Sequence, residues 1–133
     1  MVCVETTLLV DFLRGEESAV SEMGKLVSTN RAVTVAAPTI VELATGANLA
    51  ESPRERRQLN ELLTRLTTLA LDQKAALLAG ELQAQLIKAG EIIGHVDVTI
   101  AAIAMTQGET LITKNVKHFR RIPGLRVEDY GRG

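Results

Sequence analysis

The sequence predicts an α/β fold in which a parallel sheet carries helices on both faces, and three features of the chain lead there. Short apolar runs rich in β-branched residues alternate with longer segments of helical periodicity from end to end. The segments between successive runs are long enough to hold a helix, as crossovers between parallel neighbours must be. No linker, internal repeat or low-complexity tract divides the 133 residues, so residues 1–133 are read as one domain.

Val2-Cys3-Val4 is the first short strand, and Thr6 to Gly15 follows with helical character and a glycine stop. Residues 16 to 29 space Val20, Met23, Leu26 and Val27 for a second helix. Val33-Thr34-Val35 then alternates as a strand, and Pro38 opens a helix carrying Ile40 to Asn48, at a position where its missing N–H is harmless. Ser52-Pro53-Arg54-Glu55 has the composition of a capping box, with Leu59, Leu62, Leu63 and Leu66 as the buried stripe behind it. Leu69-Ala70-Leu71 reads as a short buried strand. Asp72 stands where an N-cap belongs, ahead of Ala75, Ala79, Leu82 and Leu86, with Gly90 as the stop.

From Val96 to Thr106 the chain is nearly apolar all round and rich in alanine, which predicts a helix buried on most sides and closely approached by its neighbours. Gly108 ends it. Thr110 to Thr113 reads as a strand, Val116 to Arg121 as a helical turn, and Leu125 to Glu128 as a last strand.

Apolar residues make up 46% of the chain, enough to build a core, but aromatics only 2%, so the core must be aliphatic. Phe12, Phe119 and Tyr130 are the only Phe, Tyr or Trp rings the sequence offers for bases or sugars to stack on, which argues against aromatic-platform RNA binding. A net charge of -1 gives the chain no overall attraction to a polyanion, so any nucleic-acid contact must be local. Cys3, the single cysteine, is read as a buried core thiol; it can form no internal disulfide, and no thiolate cluster exists for structural zinc. With neither a signal-peptide pattern nor a long uncharged apolar run, the expectation is a cytoplasmic protein without membrane contact.

In open parallel sheets the ligand crevice lies beyond the carboxyl ends of the strands. Glu5 closes the first predicted strand, Glu42 lies in the helix after the second, Asp97 opens the alanine-rich helix, and Asn115 follows the strand ending at Thr113. Three carboxylates in one crevice need protons, a basic side chain or a cation to neutralise them. Hard oxygen ligands suit Mg²⁺ or Mn²⁺, ions that activate water toward a phosphodiester. Each acid also has a purely structural reading: Glu5 and Asp97 suit helix N-termini, and Glu42 the exposed face of an amphipathic helix. Asp72 is read as a cap and Asp11 as a solvated or salt-bridged residue, while His95 and His118 are read as surface or loop residues. Lys114, Lys117, Arg120, Arg121 and Arg126 place five positive charges in thirteen residues with no acid among them, beside Asn115, where phosphates of a nucleic acid would pass.

Four ordered blocks, Val2 to Gly15, Val41 to Ala47, Asp97 to Ala104 and Thr110 to Phe119, resemble a PIN domain and are most similar to VapC-type toxins of toxin–antitoxin pairs. The resemblance covers nearly the whole chain. It implies a PIN-like three-layer α/β/α sandwich with a central parallel sheet, Mg²⁺- or Mn²⁺-dependent endoribonuclease activity, a homodimer, and inhibition by a VapB-type antitoxin. It also implies Glu42 and Asp97 as the second and third acids, Asn115 at the fourth position, and Thr7 as the small hydroxyl beside the first acid. The first acid of the family is characteristically Asp; here it is Glu5, one methylene longer, which implies weakened activity. The alternative is a catalytically silent module that binds antitoxin or RNA. A dehalogenase-like phosphatase lacks its Asp-x-Asp pair after the first strand, and neither a GxGxxG nor a P-loop occurs.

Overall fold

In the computed structural model, which describes residues 1–29 and 32–130, the order of elements follows the alternation in the sequence. Strand β1 (Val2–Val4) leads into α1 (Thr6–Leu13) and α2 (Glu17–Ser28); β2 (Val33–Ala36) leads into α3 (Ala37–Leu49) and α4 (Pro53–Leu63). Strand β3 (Thr67–Leu69) precedes α5 (Gln73–Lys88) and α6 (His95–Thr106), and β4 (Thr110–Thr113), α7 (Val116–Phe119) and β5 (Val127–Asp129) complete the chain. The five strands form one sheet in the order β3-β2-β1-β4-β5, and every pairing is parallel. Thus β1 is central, with β2 and β4 on its two sides.

The period-2 alternation of the strands sends side chains to two separate cores. Val2, Val4, Val33, Val35 and Ile112 face a layer built by α1 to α4, together with Leu8, Leu9, Leu43 and Leu59. Cys3, Ala36 and Leu111 face the other layer, with Leu82 and Leu86 of α5, Ile100 and Ile103 of α6 and Phe119 of α7. This is the three-layer α/β/α arrangement implied by the sequence. Helix α6 is buried from Val98 to Ala104, as its apolar circumference requires.

The predicted caps form. Ser52 accepts from the Glu55 backbone N–H at 3.3 Å, and Asp72 accepts from that of Ala75 at 2.9 Å. Gly108 adopts φ +66°, which lets the chain leave α6 and turn directly into β4. Two strands are displaced from their predicted places. The third is Thr67–Leu69, two residues earlier than Leu69-Ala70-Leu71, and is largely exposed because it lies at the sheet edge. The last is Val127–Asp129, because register with β4 pairs Leu111 with Val127 and Thr113 with Asp129. On α2, Met23 and Leu26 are buried but Val20 and Val27 are exposed; Ala19 fills the remaining core position.

Removal of the α5 cap gives a direct test of this local reading. Asp72→Ala is expected to lower stability by about 1 kcal/mol, whereas Asp72→Asn, which keeps a capping oxygen, should retain most of it. Urea unfolding of the two variants beside the parent chain measures the difference.

Candidate active site

Glu5 immediately follows β1 and is the N-cap of α1, with extended backbone angles and only 3% exposure. Its carboxylate folds back over the helix start. Oε2 accepts the Thr7 backbone N–H at 3.2 Å, and Oε1 accepts the Thr7 hydroxyl at 2.7 Å and, in a short hydrogen bond, the Thr113 hydroxyl from the end of β4. Burial pushes the Glu5 carboxyl above the usual carboxylate range; the hydrogen bonds from Thr113 and Thr7 oppose that rise, and the charge of Asp97 adds to it. Thus Glu5 and Asp97, 92 residues apart in sequence by their numbering, repel one another across the same crevice.

Glu42 stands in the second turn of α3, exposed, with Oε1 accepting the Thr6 hydroxyl at 2.8 Å. Thr6 also bonds the buried Thr39 hydroxyl at 3.1 Å, so the start of α1 is tied to α3. Asp97 lies in the first turn of α6. Because β4 follows α6 and runs parallel to β1, α6 must run against the strands, which puts its N-terminus at their carboxyl edge. Asn115 is the N-cap position of α7; its side chain makes no capping bond, while its backbone N–H donates to Thr113 Oγ1 at 3.0 Å. All four predicted positions therefore lie at one edge of the sheet, around the end of β1.

The environment of these groups departs from the sequence reading in two respects. His118, read as a surface or loop residue, is instead part-buried on α7, with Nε2 at 2.8 Å from Asp97 Oδ2. The basic stretch holds no acid of its own, but the fold supplies partners from elsewhere. Lys114 Nζ lies 3.6 Å from Asp11 Oδ2, and Arg121 Nε 3.9 Å from Glu91 Oε2. Asp11 is thus salt-bridged, as the sequence suggested, and it also accepts the Tyr130 hydroxyl at 2.6 Å. Lys117 and Arg120 are exposed, with no acidic partner among the described residues.

Thr6, Thr113, His118 and Tyr130 are the site residues that sequence reasoning missed. The Tyr130 hydroxyl donates to Asp11 Oδ2 and lies 3.3 Å from the Thr7 carbonyl, and burial together with the Asp11 hydrogen bond pushes its phenol above the ordinary range. A signal for two of the four existed in the sequence: Thr6-Thr7 is a hydroxyl doublet at a predicted strand-to-helix turn, and Thr113 is the last residue of a predicted strand. The two rings gave none.

The donor set at this edge consists of oxygens, which suits a hard divalent cation in kind. Glu42 Oε2 and Asp97 Oδ1 are each left without a hydrogen-bond partner among the described residues. In position the set is looser: among the described residues, no three His, Cys, Asp or Glu side chains are close enough together to cage an ion. Cys3, beneath the crevice on β1, is buried, and its thiol is pushed up to about 12, chiefly by that burial. It is a packing residue, not a nucleophile.

The raised Glu5 pKa fixes the sign of a pH effect. Between the unfolded value near 4.5 and the higher folded value, the native state holds the extra proton, so stability falls as pH rises through that interval and stays reduced above it. In metal-free buffer Glu5→Gln should therefore melt at a higher temperature than the parent chain near neutral pH, and the gain should disappear below pH 4.5. Paired thermal melts across that range measure the effect.

The family model for the PIN domain matches residues 2–125. The tRNA(fMet)-specific endonuclease VapC of Salmonella typhimurium is 36% identical over 93 residues, 69% of this chain and 70% of that protein. Ribonuclease VapC2 of Haemophilus influenzae is 37% identical over 97 residues, 72% of this chain and 74% of that protein. Among solved structures, VapBC2 from Rickettsia felis bound to a DNA fragment from its promoter superposes with a TM-score of 0.86 at 28% identity, covering 97% of this chain and 98% of that one. With the parallel sheet, the acids at its carboxyl edge and these relatives all in agreement, the chain belongs to the PIN-domain family, in its VapC branch.

Proposed function

We propose that this protein is a metal-dependent endoribonuclease, the toxin of a toxin–antitoxin pair, in which Glu5, Glu42 and Asp97 hold Mg²⁺ or Mn²⁺ and Asn115 assists. The observation that carries this reading is the arrival of three acids from separate parts of the chain at the end of β1, with one of them buried and opposed by another's charge. A divalent cation relieves that opposition, and neutral threonine hydroxyls cannot. When bound, such an ion supplies charge stabilisation at a phosphodiester and a water of lowered pKa. The relatives named as ribonucleases support RNA as the substrate.

The chain's own residues have the remaining tasks. Thr7 and Thr113 anchor Glu5, Thr6 orients Glu42, and Lys117 and Arg120 offer exposed charge to the RNA backbone. Lys114 and Arg121 join them once a phosphate competes with Asp11 and Glu91, partners that hold them only at 3.6 and 3.9 Å. Glu5 attenuates the reaction, because the extra methylene lets its carboxylate settle onto Thr7 and Thr113, and an ion must compete with those hydroxyls.

A VapB-type antitoxin is the partner in this reading, supported by the VapBC complexes among the solved relatives. A groove of about 480 Å³ between α1, α3 and α4 runs up to Glu42 and combines Leu13, Leu43 and Leu59 with Glu55. Apolar walls that lead to the Glu42 carboxylate suit an amphipathic segment carrying a basic side chain, with Arg14 the one cation among the described residues of the groove wall. Among the described residues, no helix is long and apolar enough to cross a membrane.

Glu42→Ala and Asp97→Ala should each abolish Mg²⁺-dependent RNA cleavage while leaving the far-UV circular dichroism spectrum of the folded chain intact, and EDTA should stop the parent reaction. Cleavage retained by either folded variant removes the metal-site assignment. Glu5→Asp is expected to cleave faster than the parent under the same conditions, and equal rates would reject attenuation. A parent chain that binds RNA yet never cuts it with Mg²⁺ or Mn²⁺ would establish the silent binding module instead.

A further inference from the structure

His118, which pairs with Asp97, lies outside the five positions that the family resemblance supplies. Asp97 opens α6, where Gly94 at the N-cap offers no side chain to the helix start, and a first-turn acid would ordinarily turn toward those free N–H groups. Its Oδ2 is instead held at 2.8 Å by the imidazole Nε2 of His118, with both side chains partly shielded, at 24% exposure for His118 and 32% for Asp97. A carboxylate can only accept, so Nε2 carries the proton and donates it.

The imidazole is itself braced. It meets the Phe119 ring edge-on, with centroids 5.3 Å apart and planes at 86°, and Phe119 is 1% exposed in the core beneath α6. Val116, on the same short helix, is also buried. His118 therefore stands on an anchored platform and not on a freely moving loop. It fixes one oxygen of Asp97 and leaves Oδ1 without a partner among the described residues, on a helix whose start lies at the carboxyl edge of the sheet beside Glu5.

We propose that His118 is a positioning residue of the active site: by donating Nε2–H to Asp97 Oδ2 it sets the carboxylate so that Oδ1 is presented to a divalent cation. Hydrogen-bonded partners that orient a ligating group in this way commonly govern metal affinity as much as geometry. The inference rests on the metal-dependent reading above. It adds to that reading a residue that touches neither ion nor RNA and acts only through Asp97.

The test uses the full chain and Mn²⁺ alone as the probe, with affinity read from the electron paramagnetic resonance signal of free Mn²⁺. His118→Ala should weaken Mn²⁺ binding by about 10- to 100-fold. His118→Gln, whose amide can donate to the same oxygen, should recover most of that loss, and His95→Ala, at the exposed first residue of α6 with its side chain making no hydrogen bond or ion pair to Asp97, should change nothing. In RNA cleavage at subsaturating Mn²⁺, His118→Ala should lower kcat with little change in KM, and raising Mn²⁺ should restore much of the rate. Unchanged Mn²⁺ affinity in His118→Ala, shown by its melting curve to be folded, overturns this proposal while leaving metal-dependent cleavage standing. If the parent chain itself binds no Mn²⁺ and cleaves no RNA with it, the metal reading fails and this inference fails with it.

Discussion

The feature on which the rest of the molecule depends is a buried carboxylate at the end of the central strand. Glu5 is 3% exposed, and no Lys, Arg or His among the described residues pairs with it; the donors that hold it there are neutral, two from Thr7 and one from Thr113. Neutral donors solvate a charge without cancelling it, which is why burial still dominates and the carboxyl is pushed upward. The same donors join the three elements that meet there. Thr7 lies in the first turn of α1, Thr113 ends β4, and the Lys114 backbone N–H returns to the Thr7 hydroxyl at 3.3 Å. Tyr130, beyond β5, closes on the Thr7 carbonyl. The turn that carries Glu5 is thus held from the β4–β5 side of the sheet centre.

A parallel sheet makes its two edges chemically different, and this chain has a buried carboxylate at each. Glu109, at the amino end of β4, accepts the Thr34 hydroxyl at 2.7 Å, and its second oxygen has no hydrogen-bond partner among the described residues. Glu5, at the carboxyl end of β1, sits on a helix N-terminus and uses both oxygens. Cys3 lies between the two, and both charges add to the effect of burial on its thiol. The positive ends of α1 and α6 face the carboxyl edge, so acids are favoured there one at a time by the helix starts. What the helix starts cannot remove is the repulsion between the acids they attract.

Most of this architecture was legible in the sequence because it follows from periodicity and caps. The order of strands and helices, the all-buried α6, the Ser52 and Asp72 caps and the separation of two cores require only local patterns and the period-2 alternation of strands such as Val33-Thr34-Val35. The four blocks at the strand ends gave the acids and Asn115, because parallel topology alone decides which ends share an edge. Edge strands were misplaced since their positions depend on register with a neighbour: Val127 is set by Leu111, not by its own sequence. The partners of charged groups were the least legible. Lys114 to Arg126 contains no acid, yet Asp11 and Glu91 reach it through the fold, and His118 finds Asp97 across 21 residues. No local pattern encodes such pairs, as they depend on how α1, α6 and α7 pack.

The division of labour among the three acids follows from what each is bonded to. Glu5 is immobilised, with every bond to it made by residues that also hold the backbone, so it defines where the crevice lies. Glu42 is exposed and tied by one hydroxyl, so its carboxylate can swing at little cost. Asp97 is intermediate, held through one oxygen by an imidazole. One fixed, one half-held and one exposed carboxylate tolerate their mutual repulsion, because the exposed acid keeps its charge in water. Among the described residues no three acidic or imidazole groups stand close enough to cage an ion, which is the spacing that repulsion favours for these side chains alone, and it leaves the edge with uncompensated negative charge.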